Sequence, residues 1–202
     1  MSEATDRDQI AYHEAGHAVL AWTFGLVFER VSIVPTEDYS GVVMMDFSGA
    51  VMNEYDTEVL RARALTLLAG PVAVEILTGT STDWGEWWGH PGTDIDEYKE
   101  LALRLGWHEM DGGVMDLQPP MEERIAQVRG LLESRWAAVE ALAGALLQDR
   151  DVSGPDAVEV MEKVGVPGPV ESVWADLLED RKTEAETRAR FEAAAEQLEE
   201  LR

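Results

Sequence analysis

Cysteine is absent from these 202 residues. That excludes disulfides and thiolate chemistry, and any metal has to be held by histidine and carboxylate groups. Basic residues are scarce too: 16 Lys and Arg stand against 40 Asp and Glu, a formal charge of -24. A body so acidic repels phosphate backbones and anionic membrane surfaces, so neither nucleic acid nor a lipid surface is expected as a partner. Long hydrophobic runs are also missing. The apolar stretch at 64–74 contains Gly70 and Pro71 and falls short of the ~20 residues a membrane span needs. The first six residues, Met1-Ser2-Glu3-Ala4-Thr5-Asp6, lack the basic and apolar regions of a secretory signal. A soluble, cytoplasmic chain is the expectation.

What is present suits a mainly helical domain. Hydrophobic residues make up 46% of the chain, enough for a sizeable core, and Leu, Ala and Glu recur at helical spacing. A first helix is expected from Asp6, capped there with Gln9 closing a capping box, and stopped by Gly25. Alternation at 30–35 and 42–47, across a polar turn at 36–41, predicts two strands forming a small hairpin or part of a short sheet. Residues 56–79 read as a helix that Gly70-Pro71 should kink or divide. A Trp-rich loop at 80–92 leads to a helix at 93–106. Beyond the Gly112-Gly113 break, one long helix is expected from Pro119-Pro120 to Asp149, then a short one after Ser153-Gly154-Pro155. The domain boundaries expected are 1–165 for the main body, 166–170 for a linker rich in Pro and Gly, and 171–202 for a charged helix.

The chemistry concentrates in the first helix. His13-Glu14-Ala15-Gly16-His17 fits the pattern H-E-x-x-H. Residues four apart stand one above the other on a helix, so both imidazoles can reach one ion. Glu14 points about a third of a turn away, where it can take a proton from a water whose pKa zinc lowers toward ~7. A plain amphipathic helix could also carry two core histidines. Gly16 argues against it, because a mid-helix glycine costs ~1 kcal/mol against Ala and signals close packing. Leu20 and Thr23 stand where a metzincin needs Gly and His, so that class is excluded. For a third ligand, Glu75, Asp94 and His90 are all open on spacing alone.

Ala11-Tyr12-His13-Glu14-Ala15-Gly16-His17-Ala18-Val19 closely resembles the motif of FtsH-type membrane-protease peptidase domains. The resemblance continues through Val31-Ser32-Ile33-Val34-Pro35, Gly41-Val42, Leu68-Ala69-Gly70-Pro71-Val72-Ala73-Val74-Glu75 and Gly92-Thr93-Asp94-Ile95, and covers roughly residues 8–161. It implies a zincin-like helical peptidase fold with a small hairpin or sheet near the ligand helix. It implies one Zn2+ per chain on His13, His17 and Asp94, with Glu14 catalytic. Glu75 then becomes a candidate to orient a ligand histidine through its outer nitrogen. Departures are clear: Ala69-Gly70-Pro71 replaces the usual Gly-Gly-Arg, and Val74 replaces the first Glu of a pair. The ATPase module and membrane anchor that family joins to its peptidase part have no counterpart in these residues. The expectation is therefore a stand-alone, ATP-independent zinc metalloendopeptidase acting on flexible or unfolded polypeptides. A non-catalytic interaction module with a structural zinc is the alternative, and the C-terminal helix offers a surface for a second copy or a protein partner.

Overall fold

The computed structural model describes residues 4–37, 39–46, 57–84, 93–107, 109–111, 114–116 and 121–165. All lie in the first of two compact units of the chain, Met1–Pro169. The linker and the charged helix expected beyond residue 165 lie outside the described residues, as does His90.

The fold is mainly helical with a small sheet. Helix α1 is Asp6–Thr23 and α2 is Thr57–Thr78. Then come α3 (Thr93–Arg104), α4 (Met121–Glu133), α5 (Trp136–Asp149) and α6 (Gly154–Lys163). The strands are β1 (Phe28–Ser32), β2 (Val42–Met45), β3 (Glu109–Asp111), β4 (Val114–Asp116) and β5 (Asp151–Ser153). β2, β1 and β5 form an antiparallel sheet in that order, with Val31 opposite both Val43 and Val152; β3 and β4 form a separate pair.

α1 begins at Asp6, as the sequence suggested, but its cap is one residue earlier. Thr5, not Asp6, is the cap: its hydroxyl accepts from the Asp8 amide at 3.2 Å, and Asp8 rather than Gln9 returns the bond to the Thr5 amide at 2.9 Å. Gly25 at φ 69° ends the helix by wrapping the Leu26 amide back to the Ala21 carbonyl at 2.9 Å. β1 stops at Ser32 rather than continuing to Pro35, because the Ser32 hydroxyl captures the Val34 amide at 3.2 Å. Its ladder is extended instead by the Ile33 amide, which donates to the carbonyl of Arg150 at 2.8 Å.

α2 runs unbroken through Gly70-Pro71, so the expected division does not occur. The expected long helix is in fact α4 and α5. Ser134 separates them: its hydroxyl bonds back to the Leu131 carbonyl at 2.8 Å, in competition with the helical ladder, and also receives the Arg135 guanidinium at 2.8 Å. Arg135, at φ -124°, then starts the next helix.

α1 and α2 form the central pair, and Gly16 explains how closely they cross. A Cβ there would lie 2.6 Å from the Ala69 carbonyl and 2.7 Å from the Ala73 side chain. Val19 and Leu20 of α1, Leu65 and Leu68 of α2, Tyr98 and Leu101 of α3, and Leu132, Leu142 and Leu146 of α4 and α5 are fully buried around that crossing. Each such leucine contributes about 2 kcal/mol of burial. The result is a rigid platform beneath one face of α1. Among the described residues, no helix is long and apolar enough to cross a membrane.

Candidate active site

One helical turn separates His13 from His17, and their rings meet edge-on with Nε2 atoms 3.0 Å apart. Asp94 comes from the first turn of α3, and its Oδ2 lies 3.0 Å from Nε2 of His13 and 3.2 Å from Nε2 of His17. Among the described residues these three form the one group of histidine and carboxylate side chains able to hold a metal ion. The donor set is two imidazole nitrogens and one carboxylate oxygen, which suits zinc and leaves the fourth position of a tetrahedral site open. Ligands ~2.1 Å from such an ion stand about 3.4 Å from one another, so the three atoms need part by only a few tenths of an ångström.

The surroundings are shaped for that. Gly70 of α2 faces the two histidines; a Cβ on it would lie 2.5 Å from Nε2 of His13 and closer still to Nε2 of His17. Only a glycine leaves the space between them free. The other ring nitrogen of His17 meets the Thr66 carbonyl at 2.7 Å. That bond makes Nδ1 the protonated nitrogen of a neutral His17 and turns the Nε2 lone pair toward Asp94.

Charge follows the same geometry. Burial opposes a proton on His17, yet the Asp94 carboxylate outweighs it and lifts the imidazole to about 9. Burial likewise opposes ionisation of Asp94, but His17 and His13 hold its carboxyl well below the usual carboxylate range. The cluster is thus a negative centre that holds positive charge, which is the demand a divalent cation meets. Glu14 is buried, and burial pushes its carboxyl up, against the pull of the two histidines. Its side chain packs on Gly41, where an added Cβ would fall 2.5 Å from Oε1 and 2.7 Å from Cγ.

His13, Glu14, His17 and Asp94 all line a cleft of about 640 Å³. Tyr39, Val42, Val43 and Met45 form one wall; Ile10, Leu67 and Val74 give it apolar surface, and Arg63 and Glu97 also line it. Arg63 pairs with Glu97, three residues after Asp94 on α3. Glu75 is engaged elsewhere. One of its oxygens accepts from the Thr82 amide at 2.6 Å and the other pairs with Arg129 of α4. The part of orienting His17 belongs to the Thr66 carbonyl, which no sequence pattern could flag, because every residue has one. Gly41 and Gly70 were visible only as a strand entry and a helix breaker; their contacts with Glu14 and the histidines come from the fold.

Residues 1–86 match the sequence model of peptidase family M41. The chain is similar to the ATP-dependent zinc metalloprotease FtsH of Syntrophus aciditrophicus, 37% identical over 106 residues that cover 50% of this chain and 13% of that protein. It is also similar to the ATP-dependent zinc metalloprotease FtsH of Thermobaculum terrenum, 30% identical over 106 residues, 50% of this chain and 15% of that protein. The matches thus span a small part of either relative. The matched stretch, the two relatives and the mainly helical fold with its small sheet support an FtsH-type peptidase domain, similar to family M41 over its first 86 residues.

Proposed function

We propose that the domain is a zinc metalloendopeptidase of the H-E-x-x-H type that cuts flexible or unfolded polypeptides without ATP, with one zinc per chain held by His13, His17 and Asp94. The observation that carries this reading is the convergence of those three ligand atoms within 3.0–3.2 Å, beside a buried glutamate, in an open cleft. Zinc there would polarise the scissile carbonyl and make hydroxide available near neutral pH.

The chain's own groups supply the rest. Glu14 takes the proton of the attacking water and returns it to the leaving amine; a carboxyl raised by burial is better matched to giving the proton back. β2 is the edge of its sheet among the described strands, bonded to β1 on one side. Its free side lends backbone donors and acceptors to an extended peptide, while apolar residues of the cleft accept side chains. An extended binding mode requires unfolded or flexible substrate.

Zinc content and casein cleavage, with and without ATP, test it. Wild type should bind about one zinc and cleave in either condition. Glu14→Gln should keep the zinc and lose activity by ~100-fold or more, because the amide has the shape but not the basicity. His13→Ala and His17→Ala should lose the metal. Wild-type protein that stays metal-free in zinc, or cleavage undiminished in Glu14→Gln, refutes the proposal.

A further inference from the structure

Three features of α2 within little more than one turn bear on the same two histidines. Thr66 offers its carbonyl to His17 Nδ1, Gly70 leaves room beside both Nε2 atoms, and buried Pro71 follows directly. Pro71 stands in the interior of the 22-residue helix α2. A proline there has no N–H, so the Leu67 carbonyl loses its helical donor and is pushed aside by the ring. Thr66 Oγ1 bonds back to the Ala62 carbonyl at 2.8 Å in the same stretch, a bond that slightly weakens a helical ladder. Both effects loosen the segment that faces α1, where His17 needs an acceptor from a neighbouring backbone.

We propose that Gly70 and Pro71 are positioning residues for the metal site. Pro71 loosens the turn so that the Thr66 carbonyl can meet the Nδ1–H of His17. Gly70 keeps clear the space in which the two Nε2 atoms converge. The inference rests on the reading of His13 and His17 as zinc ligands. Its physical content is that α2 gives up helical regularity to fix the tautomer and orientation of one imidazole, an arrangement that strengthens a ligand histidine.

Pro71→Ala separates this role from simple packing. Restoring the N–H closes the ladder and replaces the poorest helix former with the best, so the metal-free Tm should rise by about 3 °C or more. Zinc affinity, measured by competition with a chromophoric chelator, should fall about 10-fold or more as the outer bond to His17 weakens. The Nδ1–H resonance of His17 in the zinc-bound protein should shift or broaden with it. Gly70→Ala should lose at least 100-fold in affinity while retaining its helical circular dichroism. A P71A protein with wild-type zinc affinity and an unmoved Nδ1–H resonance overturns the proposal. So does one whose metal-free Tm falls, since Pro71 would then be a packing residue. Wild type that binds no zinc fails the reading of the site itself, which is a different result from either.

Discussion

Gly41→Ala tests whether the glutamate is held where chemistry needs it. Gly41 is not among the glycines at positive φ, so its backbone accepts an alanine and the substitution adds only a methyl group. That methyl would fall 2.5 Å from Oε1, 2.7 Å from Cγ and 2.8 Å from Cδ of Glu14. Ordinary contacts begin near 3.4 Å, so the carboxylate must move by about 1 Å or the turn must lift. A displacement of that size in a reacting group costs about 100-fold in rate, or ~2.7 kcal/mol of transition-state stabilisation. Overpacking should also destabilise the fold by about 1–3 kcal/mol, with Tm falling ~2–4 °C for each. Both histidines and Asp94 are untouched, so zinc stays. The assay is kcat/KM on an unfolded peptide together with zinc content by atomic emission. Cleavage within threefold of wild type would show that the Gly41 contact does not set the position of Glu14.

Asp94→Asn should weaken zinc binding far more than Glu75→Gln, read by chelator competition; the reverse order would make Glu75 the ligand. Glu75→Gln should instead lower Tm, because it weakens the pair with Arg129 that ties α2 to α4, a loss of about 1–2 kcal/mol. Removal of residues 183–202 should lower the apparent mass in solution and leave zinc content unchanged, if that charged segment binds a second copy. Full-length protein already monomeric by light scattering at high concentration would refute the association.

Local geometry made part of this protein legible from sequence alone. A four-residue spacing on any α-helix puts two side chains on one face, so His13 and His17 had to stand together once α1 formed. The helix stop at Gly25 and the pairing of β1 with β2 have the same origin, in backbone conformations that only short-range chemistry selects. Where local signals competed, the outcome depended on hydrogen bonds a few residues long. Ser134 took the Leu131 carbonyl and cut a helix that periodicity alone would have continued, and Pro71 failed to cut one because packing against α1 holds α2 on both sides of it.

The rest was settled by the tertiary fold. Asp94 lies 77 residues beyond His17, and its distance to the histidines is fixed by how α3 packs on α2. β5 is three residues long and has no pattern of its own; it exists because β1 offers it an edge. The Thr66 carbonyl has no side-chain signature, and the meaning of Gly41 and Gly70 lies in atoms that approach from other elements. Sequence spacing dictates which groups share a helix face, because that geometry is periodic. Which groups meet across helices depends on close packing, and packing depends on every residue between them.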